Sequence, residues 1–212
     1  MKYQAVIFDL DGVICFTDEY HYQAWKRLAD DLGVPFDRTV NNRLRGVSRM
    51  ASLEIVLEHY PEQLAEAEKQ ALADQKNETY KALLAQMTPA DLPEEVKTTL
   101  LELRKRGLKL AIGSSSKNTP FILQQLGLEG FFDAVSDGNN ITHSKPDPEV
   151  FLKAAQMLEL SPEVCLAVED AVAGAEAGHR GGMDVACVGD AAKAQAGEYN
   201  LQSITGLLDV VD

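Results

Sequence analysis

The chain has 212 residues, 45% of them hydrophobic and 25% charged, a balance typical of globular proteins and long enough for one large domain or two unequal ones. Its formal net charge of −13 disfavours a nucleic-acid partner, which would need a basic face. No apolar run approaches the roughly 18 residues of a membrane span, the N-terminus lacks a signal-peptide pattern, and Cys15, Cys165 and Cys187 form no disulfide or zinc spacing, so a reducing cytoplasm is the expected compartment.

The first predicted element is the apolar run Ala5-Val6-Ile7-Phe8, a buried strand, followed at once by Asp9-Leu10-Asp11-Gly12. Thr17 or Asp18 can cap a helix whose Tyr20, Ala24, Leu28 and Leu32 share one face, and Gly33 and Pro35 end it. Residues 36–49 are polar and basic, a second helical pattern runs through Leu53, Val56 and Leu57, and a long one extends from about Glu62 to Met87. Residues 15–90 therefore read as helical throughout.

From Pro93 the texture changes. A helix through Val96, Leu100 and Leu103 stops at Gly107, and the run Leu108–Ile112 follows. Helices near 121–126, 149–158 and 171–179 then alternate with apolar runs at 132–135, 164–168 and 185–188. Such alternation predicts an α/β fold, a doubly wound, Rossmann-like parallel sheet covered on both faces. The first strand belongs to that sheet. The expected core is thus residues 1–14 and 94–212, with residues 15–93 a helical cap inserted after strand 1, above the carboxyl edge where such sheets place ligands.

Chemistry gathers at the same edge. Two carboxylates, Asp9 and Asp11, end the first strand. Ile112 leads into Gly113-Ser114-Ser115-Ser116-Lys117-Asn118, hydroxyls and free amides before a helix, a natural phosphate cradle. Ser144-Lys145-Pro146-Asp147-Pro148 sets one lysine in a proline-bounded loop, and Val168 leads into the acidic pair Glu169-Asp170. Each segment alone is explained by a helix cap or a solvated charge. Converging on one sheet edge, carboxylates suit an oxygen-ligated divalent cation, and hydroxyls with an ammonium suit phosphate oxygens.

Asp9-Leu10-Asp11-Gly12, then Ser114, then Lys145-Pro146, then Glu169-Asp170 resemble, in order, the motifs of the haloacid dehalogenase superfamily of phosphotransferases. The resemblance covers essentially the whole chain. It implies that Asp9 is the nucleophile that becomes an aspartyl phosphate and Asp11 the general acid and base. Ser114 and Lys145 would hold the transferring phosphoryl group. Asp9, the Asp11 carbonyl, Glu169 and Asp170 would ligate one Mg²⁺.

Within that superfamily the segments Glu19-Tyr20-His21, Ala24-Trp25, Leu44-Arg45-Gly46-Val47-Ser48-Arg49, Ser52-Leu53, Lys76-Asn77 and Ser114–Asn118 are most similar to those of hexose-phosphate mutases. That closer resemblance implies a reaction between β-glucose 1-phosphate and glucose 6-phosphate, primed by glucose 1,6-bisphosphate. Arg49, with Ser116, Lys117 and Asn118, would grip the second phosphate, and Ser115 would be among the substrate-binding residues. Trp25, Gly46, Val47, Ser52 and Lys76 would line the sugar, and Thr17 and His21 would lie near the hinge. The alternative is a sugar phosphatase using the same Asp9, with water taking the phosphoryl group. A cap that opens and closes suits a monomer acting on a small sugar phosphate. Phe16 stands where the family usually has aspartate, Leu92-Pro93-Glu94 lacks the usual glycine, and Ala171 replaces a common serine.

Overall fold

The structure, a computed structural model, describes residues 2–44 and 48–212. It comprises two compact units, Thr17–Met87 and a discontinuous one made of Met1–Phe16 with Thr88–Asp212.

The helical unit contains α1 (Asp18–Leu32), α2 (Arg38–Asn42), α3 (Arg49–Val56) and α4 (Glu66–Leu84). α1 buries Ala24, Trp25, Leu28 and Ala29 at helical spacing and ends at Gly33, whose φ of 68° lets its N–H bond the carbonyl of Asp30. The expected cap is corrected here: the Thr17 side chain makes no capping bond to α1, and its Oγ1 accepts a hydrogen bond from the Tyr80 hydroxyl at 3.0 Å instead. α2, in a stretch that sequence periodicity leaves irregular, is capped by Asp37, which accepts from the amide of Val40. Ser48 caps α3 by accepting from the amide of Ala51. α4 is shorter than 62–87 because Ala65 is extended and its amide is taken by the Glu68 carboxylate at 2.8 Å. Trp25, Leu28, Ala29, Leu53, Val56 and Ala73 form the core of this unit.

The α/β unit holds strands β1 (Ala5–Phe8), β2 (Lys109–Gly113), β3 (Ala134–Ser136), β4 (Cys165–Glu169), β5 (Asp184–Cys187) and β6 (Tyr199–Asn200). Its helices are α5 (Glu94–Lys105), α6 (Thr119–Gln125), α7 (Glu149–Met157), α8 (Val172–Arg180), α9 (Gly189–Lys193) and α10 (Leu207–Val210). The sheet order is β3-β2-β1-β4-β5-β6 and every pairing is parallel, the doubly wound arrangement. β1 is fully buried. Ala5 and Ile7 pack with Phe151, Ala154 and Ala167, whereas Phe8 faces the other way, its ring edge-on to Phe132. A strand covered on both faces reads as a continuous apolar run rather than an alternating one.

Both ends of the helical unit fall inside the expected 15–93. Cys15 bridges back to Asp11 and its carbonyl accepts from the amide of Gly12 at 2.7 Å, so residues 12–16 stay with the sheet. After Met87, Thr88 caps a short 3₁₀ turn at Pro89–Asp91, and Pro89 lies against Gly127.

Candidate active site

Register places the carboxyl ends of three strands on one level. Phe8 pairs with Ile112 on one side and Val168 on the other, so Asp9, Gly113 and Glu169 share the next rung. Asp9 is fixed there by its amide, which donates to the carbonyl of Val168 at 2.9 Å. Lys145 arrives from the loop after β3, across the cis Lys145-Pro146 bond. Its ammonium donates to Asp9 Oδ1 at 2.5 Å and to Glu169 Oε1, with the Phe151 ring 4.8 Å away.

These charges are held nearly out of water: the side chains of Lys145, Asp9 and Glu169 are 8%, 12% and 1% exposed. Burial alone would push the Lys145 ammonium down, but Asp9 and Glu169 beside it outweigh that and hold it above its ordinary value. Burial pushes the Glu169 carboxyl up to about 7 against the attraction of Lys145, with Asp9 adding repulsion. Glu169 Oε2 accepts from the amides of Asp170 and Ala171.

Asp9, Glu169 and Asp170 each offer a carboxylate oxygen, all within 4.8 Å of one another. An all-oxygen donor set of this spacing fits a hard divalent cation. Gly12 makes room for the Asp170 carboxylate: at φ 90° a Cβ there would lie 2.2 Å from it. Asp11 follows Asp9 in a tight turn where the amides of Ile14 and Cys15 both bond the carbonyl of Leu10. The Cys15 thiol donates to Asp11 Oδ1 at 3.8 Å.

The Ser114–Asn118 loop leaves β2 at the same edge. Ser114 is buried and its Oγ accepts from the amide of Ser116 at 3.2 Å, while Ser116 Oγ accepts from that of Asn118. The amide of Lys145 donates to Ser115 Oγ at 3.5 Å. Ser115 and Ser116 are half-buried and Lys117 is exposed. The turn Asp137–Asn140 braces this loop, although the sequence reading did not single it out. Ser114 N–H bonds Ser136 O, Gly138 N–H bonds Ser116 O, and the Asn139 amide donates to Lys117 O. A Cβ at Gly138 would meet Ser115 O at 2.5 Å. Its signal was available: Asp137-Gly138-Asn139 is a turn sequence directly after an apolar run at the edge already identified.

The other predicted residues lie in the helical unit. Thr17, His21 and Trp25 recur every four residues at the start of α1 and along it, and Lys76 and Tyr80 do so on α4. The Lys76 ammonium is 2.9 Å from His21 Nδ1 and lies over the Trp25 and Tyr80 rings at 4.8 and 4.5 Å. His21 stacks on Tyr80, the centroids 4.0 Å apart. Burial, then the Lys76 and Arg49 charges, keep His21 well below its ordinary pKa, so its ring is neutral and Nδ1 accepts from Lys76. Arg49 donates to Asn77 Oδ1 at 2.9 Å and lies 4.0 Å from Asp74. Ser52 and Trp25 are buried, Trp25 in the unit's apolar core. Gly46 and Val47 lie outside the described residues.

The discontinuous α/β unit, with Asp9, Lys145, Glu169 and Asp170 gathered at one strand edge, is the arrangement that the resemblance to the haloacid dehalogenase superfamily implies. The sequence pattern of the haloacid dehalogenase-like hydrolases matches residues 3–182, and the chain belongs to that family. It is 44% identical, over 188 residues, to the β-phosphoglucomutase of Bacillus subtilis (strain 168), covering 88% of this chain and 83% of that one. It is 32% identical to the fructose-1-phosphate phosphatase YqaB of Escherichia coli (strain K12), covering 86% and 95%. The crystal structure of β-phosphoglucomutase from Clostridium difficile superposes with a TM-score of 0.91 at 34% identity, over 99% of this chain and 95% of that one.

Proposed function

We propose that the chain is a Mg²⁺-dependent β-phosphoglucomutase that interconverts β-D-glucose 1-phosphate and glucose 6-phosphate. The observation that carries this reading is the 44% identity, across 88% of the chain, to the Bacillus mutase.

In the reaction the phosphorylated Asp9 gives its phosphoryl group to the C6 hydroxyl of β-glucose 1-phosphate. The P–O bond to Asp9 breaks as the bond to the sugar oxygen forms, and Asp11 accepts the hydroxyl proton. Glucose 1,6-bisphosphate, which also serves as primer, then turns end for end. Asp9 attacks the phosphorus on C1, Asp11 returns its proton to the leaving sugar oxygen, and glucose 6-phosphate departs with Asp9 phosphorylated again. Lys145 and Ser114 hold the oxygens of the group in transit, and Arg49 with Ser116, Lys117 and Asn118 takes the other phosphate, where the planar guanidinium fork suits the anion. Trp25, Gly46, Val47, Ser52 and Lys76 serve the sugar. Asp9, Glu169, Asp170 and the Asp11 carbonyl would hold one Mg²⁺, which would supply positive charge to offset that of the carboxylates and the transferring phosphoryl group. The enzyme works as a monomer in the cytoplasm.

A second reading, a sugar phosphatase, is favoured by the 32% identity to the fructose-1-phosphate phosphatase. One incubation separates them: protein, Mg²⁺, β-glucose 1-phosphate and a trace of glucose 1,6-bisphosphate, with glucose 6-phosphate and free phosphate followed together and Asp9→Asn as control. Glucose 6-phosphate forming far faster than phosphate is expected, and dominant phosphate release would sink the mutase. Arg49→Ala is expected to lose about 100-fold or more in mutase kcat/KM, the scale of a lost charge-assisted contact of roughly 3 kcal/mol. Hydrolysis of a small generic phosphate ester should change far less.

A further inference from the structure

Glu169 is the most buried carboxylate of the site, and the space it fills is made by a helix rather than by another strand end. α8 runs back across β4 and β5 with two glycines one turn apart, Gly174 and Gly178. A Cβ built on Gly178 would meet Val185 Cγ2 at 2.7 Å and Ala167 Cβ at 3.2 Å, atoms of the strands beneath. A Cβ built on Gly174 would meet no strand backbone or apolar side chain first, but the carboxylate at the end of β4. It would fall 2.0 Å from both Cδ and Oε1 of Glu169 and 2.3 Å from Oε2, so the carboxylate occupies the volume that any other residue at 174 would need. The φ of Gly174 is not in the left-handed region, so backbone conformation does not demand glycine there.

We infer that Gly174 is a positioning residue for the phosphoryl-transfer site: the missing side chain at 174 is what seats the Glu169 carboxylate against Lys145 and beside Asp9. The inference rests on reading Asp9, Glu169 and Asp170 as the Mg²⁺ site. With a methyl group at 174, Glu169 must swing away from the two amides and the ammonium that now fix it. Lys145 is left with Asp9 alone, and the cation loses one of three converging carboxylates. A neighbouring residue that orients a ligand typically controls metal affinity by about 10–100-fold.

The test uses the full-length protein and reads the rise in melting temperature on titration with MgCl₂ in the absence of substrate, alongside mutase activity. Gly174→Ala is expected to need about 10–100-fold more Mg²⁺ for half the rise and to lose activity in parallel. Gly178→Ala, one turn on, is expected to lower the melting temperature without Mg²⁺ yet keep the wild-type Mg²⁺ midpoint. Gly174→Ala with Glu169→Asp, whose shorter side chain retreats from the new methyl, is expected to regain part of the Mg²⁺ response relative to Gly174→Ala alone. If Gly174→Ala does not fold, the double variant decides: folding restored by the shorter acid supports the inference, and folding not restored overturns it. A Gly174→Ala protein with the wild-type midpoint would also overturn it. A wild-type protein whose melting temperature ignores Mg²⁺ would instead overturn the metal reading on which it rests.

Discussion

At the scale of single residues, Lys145 is the group on which the site's charge balance turns. Its ammonium pairs with both Asp9 and Glu169, and a buried carboxylate stripped of its partner is costly. Lys145→Met is therefore expected to lower stability by about 3–5 kcal/mol in EDTA at neutral pH, read by urea denaturation, with Mg²⁺ restoring part of the loss. An unchanged midpoint in EDTA would show that the lysine carries no such burden. This part of the site was largely legible in the sequence, because Asp9, Asp11 and the Glu169-Asp170 pair follow apolar runs and Lys145 stands directly before Pro146 in a loop with a second proline, Pro148. Gly174 was not, and of Asn139 only its place in a turn was. A glycine inside a helix and an asparagine in a turn look alike whether they serve a site or merely a bend, and only the position of the Glu169 carboxylate and of Lys117 O separates the cases.

At the scale of elements, α7 controls the loop that delivers Lys145. Glu149, in its first turn, accepts from the amides of Thr142 and His143 at 2.8 and 2.7 Å and from Lys153 at 3.1 Å. The His143 amide above all lowers its carboxyl to about 2; desolvation opposes it, and the Thr142 amide and Lys153 add to the lowering. Because the folded state holds this proton less tightly than the unfolded chain does, the stabilisation is full above the usual glutamate value of about 4.3 and fades as pH falls towards 2. Glu149→Gln should accordingly lower the melting temperature by a constant amount between pH 8 and 5, with the gap closing below about pH 4.3. A gap that persists undiminished at pH 3 would assign the loss to something other than ionisation. Elements of this kind were readable to within a residue or two wherever apolar runs were long, as in β1, β4 and α7. β6 was not, since two residues, Tyr199 and Asn200, carry no period. Its pairing rests on the tertiary bond between the Tyr199 and Tyr3 hydroxyls at 3.0 Å and on β5 beside it.

At the scale of the whole molecule, each of the two units has an apolar core of its own, one around Leu53, Val56 and Trp25 and the other around Phe151, Ile7 and Ala167. Deleting a buried leucine costs about 2–5 kcal/mol, and opening follows the unit that loses it. Leu53→Ala is expected to speed amide hydrogen exchange across 17–87 while sheet amides of β1 and β4 keep their protection. Phe151→Ala should do the reverse, and an equal response of both units to either change would mean that they open as one. The order β3-β2-β1-β4-β5-β6 belongs to this scale too, and no local period encodes which strand lies beside which. What the sequence did carry was the switch from unbroken helical pattern to strand–helix alternation near Pro93, enough to separate the two units.

Because β1 lies between β2 and β4, a ribosome making this chain must add residues up to Gly113 and then Glu169 before the strand acquires its neighbours. At about 5–20 residues per second, Ala5–Phe8 waits on the order of ten seconds with both edges open. The contiguous stretch 17–87 is synthesised whole in that interval. A nascent chain thus carries an unpaired apolar strand ahead of a finished segment, a natural substrate for holdase chaperones, and slowing translation between residues 90 and 165 should raise aggregation of newly made protein without touching the stability of the mature enzyme.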